Sequence, residues 1–286
     1  MQARSSNNAQ GIDISHHNGT VDWAKVRADG ISFAFLKASE GRSYRDPTFP
    51  GHLKAARAAG ILVGAYHFVT AQSVDAAREE AANFMGAITA AGGIDLLDLP
   101  PVMDYENNPG QLTKAQINAV AESFLTTVES LSGRKPIIYT GNSFAANFGA
   151  NLGAYPLWIA RYSTTPPTDV AAWGKWTFWQ YSDGQQGGAR SDGSRSVAGV
   201  SGYVDLNEYA GTEVALRAAF GGQNDPQPVE EEVEDLQLSN YQWGTIEDKI
   251  QALLDSGKIK DKTWLEKAKA RTLTVSDLLW LTFTIA

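Results

Sequence analysis

The sequence predicts an α/β chain: an irregular TIM-like (β/α) barrel followed by a small C-terminal helical module. Three observations carry that expectation. Short apolar runs alternate with amphipathic stretches, the mark of βα units and a parallel sheet. There are about eight such runs in residues 11–222, the number that closes a TIM-type barrel. The stretch GGQNDPQPVEEEVED (221–235) then breaks the pattern with Gly, Pro and a run of like charge, which resists packing and reads as a linker.

The strand runs are 11–15, 31–38, 61–68, 101–106, 136–140, 157–161, 176–182 and 203–208, and the helical stretches between them are 22–29, 47–59, 74–91 and 113–131. Residues 141–210 have little helical pattern, so the second half of the barrel should be irregular. An open doubly wound sheet is the alternative, but no G-x-G-x-x-G follows any of these strands. The expected organisation is a flexible N-terminus (1–10), a barrel (11–222), an acidic linker (223–235) and a helical module (236–286). In the module three helices are expected. The first starts at a capping-box-like Thr245-Ile-Glu-Asp248 and ends at Gly257, the second covers 262–270 with Asp261 as cap, and the third starts at Thr274.

Composition narrows the function. The 286 residues carry a formal net charge of −8, which argues against a nucleic-acid partner; 223–235 alone holds six acids and no bases. Cysteine is absent, so no disulfide, thiolate nucleophile or thiolate metal site is possible. The four histidines show no metal-ligand spacing, and His16, His17 and His67 are read as structural. No window approaches the roughly 18 apolar residues of a membrane span, and MQARSSNNAQ lacks the apolar segment of a secretory signal peptide. No cofactor or metal is expected. Eight Trp and 10 Tyr exceed what a core of this size needs and hint at an aromatic-lined binding surface.

The strongest chemical signal is PPVMDYEN (100–107). Asp104 and Glu106 end an apolar strand, and residues i and i+2 project from one face with Cα atoms about 6.5–7 Å apart. Two carboxylates side by side at the C-terminal end of a barrel strand stand where barrel active sites are built. Their mutual repulsion lets one stay a protonated acid while the other ionises, the division of labour that glycoside hydrolysis needs. Alone, D-x-E more often just ends a strand in solvent. Asp13, in GIDISHH, and Asp205, in GYVDLNEY, end the first run and lie in the last. In a closed barrel those strands are neighbours, so the two acids can meet in one pocket. Aromatics recur at the same strand ends, among them Tyr66, Tyr139 and Trp179, and suit a glycan groove, although plain core packing accounts for about half of such rings. Lys37 can pair with Glu40, and Arg161 can bind substrate or hold an acid in place.

The blocks GIDISHHNGTVDW, FAFLKASEGRSYRDPTF, AGILVGAYHF, LPPVMDYE, PIIYTGNSF, PLWIARY, WTFWQYSDG and GYVDLNEY, in this order, strongly resemble the family 25 glycoside hydrolases, the Chalaropsis-type lysozymes, many of them phage endolysins. The resemblance covers about residues 10–220. It implies an irregular α/β barrel that cleaves the β-1,4 bond between N-acetylmuramic acid and N-acetylglucosamine in bacterial peptidoglycan. It implies Glu106 as proton donor and Asp104 as the group that orients the substrate's own 2-acetamido group for attack at the anomeric carbon. Asp13, Asp205, Tyr66 and Tyr139 match the family's pocket residues. The motif's middle residue is often small or apolar; here it is Tyr105, expected to face the other side of its strand. The residues alone do not separate substrate assistance from an enzyme nucleophile or an activated water. An endolysin would wait in the host cytoplasm and act at the cell wall, with the C-terminal module binding the wall or mediating self-association.

Two other classes compete. A hydrolase of another aminosugar polymer such as chitin would share the acid pair. A non-catalytic wall-binding protein on the same scaffold would have no reason to keep Asp13, Asp104, Glu106 and Asp205.

Overall fold

Eight strands close into a barrel, which buries both faces of each. The computed structural model describes residues 1–185, 192–221 and 238–273. The chain divides into two units, Met1–Gln223 and Asn224–Ala286.

In the first unit the strands are β1 (Gln10–Ile14), β2 (Ile31–Glu40), β4 (Leu62–Phe68), β5 (Val102–Asp104), β6 (Ile137–Gly141), β7 (Leu157–Ala160), β8 (Phe178–Ser182) and β9 (Asp205–Tyr209), with a short β3 (Tyr44–Arg45) paired to the end of β2. Around the barrel the order is β1-β2-β4-β5-β6-β7-β8-β9, and β9 closes back on β1. Neighbours from β1 to β8 run parallel, while β9 is antiparallel to both β8 and β1. The sheet is therefore mixed, not parallel throughout as the βα alternation suggested. No helix is described between β8 and β9, so the chain does not cross back, and β9 starts at the end where β8 finishes. This reversal puts the first residue of β9, Asp205, at the mouth.

Helices α1 (Trp23–Ala28), α2 (Phe49–Ala58), α3 (Val74–Ala90) and α4 (Lys114–Ser132) fall where the amphipathic stretches predict them. Between β6 and β8 the only helical elements are two 3₁₀ turns, matching the expected irregular half. Helix α5 (Glu213–Phe220) was not expected. Thr212 caps it, and its Glu213 accepts hydrogen bonds from Arg27 and Ser32 and pairs with Arg217, which hold its carboxyl down at about 2 despite partial burial. The first ten residues, expected as a flexible lead-in, are tied to the barrel. The Met1 ammonium pairs with Asp169, Gln2 hydrogen-bonds Trp176, and Arg4 pairs with the buried Glu208 at 2.9 Å.

Strand alternation splits the core into two layers. Ile12, Leu36, Val63, Met103 and Ile138 face outward and pack under the helices; Phe33, Phe35, Val102, Ile137, Trp158 and Phe178 fill the barrel. Two inward-facing glycines make room for the large rings. A Cβ on Gly11 would lie 2.3 Å from the Phe33 ring; one on Gly64 would lie 2.5 Å from the Phe35 ring and 3.1 Å from Leu99 Cβ. Phe35 is itself stacked on Trp158 at 4.3 Å, so it has nowhere to yield. Gly64→Ala is therefore expected to cost about 1–3 kcal/mol through overpacking. Thermal unfolding checks this, and an unchanged midpoint would show that the interior can relax.

The second unit holds α6 (Asn240–Asp255) and α7 (Thr263–Ala270) around Trp243, Ile250, Ile259, Ala268 and Leu273. The first helix begins earlier than expected. Ser239 and Gln242 form the capping box, while the Thr245 hydroxyl bonds Tyr241 O inside the helix. Gly257, at φ +71°, follows its end, and Asp261 accepts the Thr263 N–H. Trp243 is buried in this small core rather than presented to a ligand. The helix expected from Thr274 lies outside the described residues.

Candidate active site

The acid pair sits at the end of the shortest barrel strand. Hydrogen bonds continue past it: Tyr105 N–H donates to Tyr139 O, and the Thr140 hydroxyl donates to Tyr105 O. This keeps the alternation running, so Asp104 and Glu106 share the inner face. Tyr105 turns outward, as expected, and packs on Phe144 and Phe148 with ring centroids 5.4 and 6.1 Å away.

Asp104 is buried, and its Oδ1 has no hydrogen-bond partner. Burial, then the nearby Glu106 charge, push its carboxyl well above the usual range, while Lys37 partly offsets them. Glu106 is also raised, first by burial and then by Asp13. Both acids thus bind a proton more readily than in water, and Asp104 more strongly because it is the more deeply buried. That differs from the simple expectation of an ionised Asp104 beside a protonated Glu106, since no N–H donor reaches the empty Asp104 oxygen in the free protein.

Glu106 opens onto a cleft of about 630 Å³ that it lines with Asn142, Ser143, Phe144, Asn147 and Arg161. On the other side of the strand end a second hollow of about 440 Å³ is lined by Phe68, Thr70 and Asn107–Pro109. The pair therefore stands between two open concavities, the arrangement a chain-like substrate requires.

Asp13 and Asp205 are direct partners across the antiparallel β1–β9 pair. Both are raised, chiefly by burial, and each feels the other. As a coupled pair they hold one proton to higher pH than a lone carboxyl would. Tyr66 and Tyr139 line the same interior: Tyr139 packs on Trp158 at 4.4 Å, Tyr66 on Trp158 at 6.3 Å, and each lies close enough to Asp13 and Asp104 for those charges to raise its hydroxyl further. Lys37 pairs with Glu40 at 2.6 Å, as the sequence suggested, and sits 5.2 Å from the Phe68 ring. Arg161 reaches the cleft wall, where its guanidinium donates to Pro166 O rather than to an acid.

Trp179 is the misplaced residue. Phe178 and Gln180 point inward, so Trp179 points outward; it is fully buried, donates to Arg161 O and packs on Trp176 at 5.7 Å. It does not reach the pocket. His67, read as structural, is sealed between Ser39 (2.7 Å) and Glu80 (3.2 Å). Among the described residues no cluster of three or more His, Cys, Asp or Glu can hold a metal ion.

Two pocket residues, Gln180 and Asn207, escaped the sequence reading. Gln180 and Asn207 donate to Asp13 Oδ1 at 2.9 and 2.7 Å, and the Tyr162 hydroxyl lies 3.5 Å from Asp205. Their signal was present: Asn207 stands two residues from Asp205 on one strand face, and Gln180 is an amide inside the apolar run WTFWQY.

Residues 12–188 match the family described as Glycosyl hydrolases family 25. The chain belongs to that family. It is similar to Lysozyme M1 of Streptomyces globisporus, 32% identical over 218 residues, covering 73% of this chain and 70% of the relative. It is 31% identical to an N,O-diacetylmuramidase of Chalaropsis, over 61% of this chain and 88% of that one. Among solved structures, a bacterial lysozyme from Streptomyces coelicolor matches with a TM-score of 0.64 and 32% identity, covering 76% of this chain and 98% of that one. This family 25 chain is a glycoside hydrolase of the muramidase type, and its irregular α/β barrel is the fold of those lysozymes.

Proposed function

We propose that the enzyme hydrolyses the β-1,4 bond between N-acetylmuramic acid and N-acetylglucosamine in peptidoglycan, with Glu106 as proton donor and Asp104 assisting the substrate's 2-acetamido group. The observation that carries the reading is the unpartnered, buried Oδ1 of Asp104 beside Glu106. A buried acceptor left empty costs about 1–3 kcal/mol, a cost that a bound donor removes. An acetamide N–H is the right donor. Once it binds, it favours the ionised form of Asp104 and leaves the acid role to Glu106. The acetamide oxygen then attacks the anomeric carbon as Glu106 protonates the leaving oxygen, and water later opens the resulting ring. The chitinase alternative shares the acetamide. Release of new reducing ends from purified peptidoglycan but not from chitin oligomers supports the muramidase; the reverse selectivity would overturn it.

An endolysin role, with the enzyme held in the host cytoplasm until lysis, fits the two-unit plan of the chain. One structural neighbour, 27% identical with a TM-score of 0.59, is the CTP1L endolysin. In this reading the second unit docks the barrel on the wall and raises the effective substrate concentration. Deleting residues 223–286 is expected to leave the rate on soluble glycan fragments within about twofold and to lower lysis of intact cells by about tenfold or more. Equal loss on both substrates would refute a docking role.

A further inference from the structure

We infer that Gln180 and Asn207 are positioning residues that seat the shared proton of the Asp13–Asp205 pair on Asp205 and keep Asp13 as the carboxylate. Trp158 orients the first of the two amides. An indole N–H can only donate, and it donates to Asn207 Oδ1 at 2.8 Å. That fixes which way the Asn207 amide points. Its Nδ2 must face Asp13 Oδ1, 2.7 Å away, as a donor. Gln180 repeats the logic: its Oε1 lies 2.8 Å from the Tyr139 hydroxyl and 3.3 Å from the Tyr162 hydroxyl, and its Nε2 points at the same Asp13 oxygen, 2.9 Å away. Two buried N–H donors therefore converge on one oxygen of Asp13. A protonated carboxyl cannot use that oxygen to donate, and the paired N–H bonds favour the anion.

Asp205 has the opposite surroundings. Among the described residues its carboxyl meets the Tyr162 hydroxyl and Asp13, and no N–H donor. The charges that face it are those of Asp13 on β1, Glu106 beyond β5 and Asp183 beyond β8, all negative. Asp104, Tyr66 and Tyr139 complete the ring of titratable groups around the pair, and Lys37, the cation on that wall, is engaged by Glu40. The proton shared across the strand pair therefore belongs on Asp205, whose O–H donates to the free oxygen of Asp13. The pair then carries one negative charge instead of two.

The consequence for catalysis rests on the muramidase reading. The Asp13 charge helps keep Glu106 protonated. If the amides were removed, the shared proton would pass more readily from Asp205 to Asp13, the pair's single charge would shift to Asp205, and Glu106, which is raised by the Asp13 charge, would ionise at lower pH. A purely structural role for Gln180 and Asn207 would not move that limb of the pH profile.

The test reads the protons directly on the full-length, substrate-free protein. With aspartate labelled at Cγ with ¹³C, the Asp13 carbon is expected to reach its ionised shift at lower pH than the Asp205 carbon. In Asn207→Leu the Asp13 step should move up by about one unit, and the alkaline limb of kcat/KM on soluble peptidoglycan should move down. Gln180→Leu should do the same if Asn207→Leu does not fold. Ionisation of Asp205 before Asp13 in the natural protein, or an unmoved Asp13 step in a folded variant, would overturn the inference. Because the titration needs no turnover, an inactive protein that shows the expected order would sink the muramidase reading alone.

Discussion

Glu106→Gln is expected to lower turnover on peptidoglycan by about 10² to 10⁴ while leaving the unfolding midpoint within a degree or two, on the order of what a surface substitution does. The glutamine keeps the size of the side chain but cannot deliver a proton to the leaving oxygen. Stability should hold because Glu106 borders an open cleft and, among the described residues, no hydrogen bond ties its carboxyl to the fold. The natural enzyme should show a bell-shaped pH profile. As pH rises through the elevated Glu106 value the acid is lost, and as pH falls Asp104 takes up a proton even in the complex. The alkaline limb should vanish in Glu106→Gln together with the activity. A folded Gln variant with near-natural turnover would remove Glu106 from the role.

Asp104→Asn is expected to do two opposite things. Activity should fall by about 10² or more, because an amide can neither hold the acetamide N–H as an anion does nor balance charge developing at the anomeric carbon. Stability should rise. Folding lifts the Asp104 carboxyl well above its unfolded value, so between those two values the folded protein binds a proton that the unfolded chain has released. Natural stability therefore falls as pH climbs from about 4 through the raised value. The Asn variant lacks that decline, so its advantage should be near zero at pH 4 and grow to on the order of 1–3 kcal/mol at the alkaline end, the cost of a buried group without partners. Chemical denaturation at pH 5 and pH 8 measures it. An Asn variant that is inactive and also less stable at pH 8 would mean that the Asp104 carboxylate holds the fold together rather than serving the reaction.

The strand runs, the D-x-E end, and the meeting of Asp13 with Asp205 could all be read from residue order, because each depends on local apolarity and on barrel closure alone. The face of each strand could not. A barrel strand is buried on both sides, so WTFWQY gives no polar-apolar alternation to say that Gln180 points in and Trp179 points out. The same ambiguity hid Asn207. The direction of β9 was also hidden, since a strand run reads alike in either direction, and the lack of a helical pattern before it in the sequence was the available clue. Helix α5 is eight residues long and is held by the Glu213 contacts with Arg27, Ser32 and Arg217, which are distant in sequence apart from Arg217. In the second unit two Ser/Thr signals competed for one helix start, and the stronger box at Ser239 prevailed because Gln242 completes it from both sides. The protonation order within the acid cluster could not be read at all. It depends on which oxygens receive N–H donors, and those donors, Gln180 and Asn207, come from two different strands, β8 and β9.

The most direct test of the proposed chemistry is mass spectrometry of the soluble fragments that the enzyme releases from purified peptidoglycan, with borohydride reduction to mark each new reducing end. The account predicts reduced N-acetylmuramic acid at those ends, formed by hydrolysis with retained β configuration, and no fragments from Glu106→Gln. New ends carrying N-acetylglucosamine, or the same fragments from the Gln variant, would contradict it.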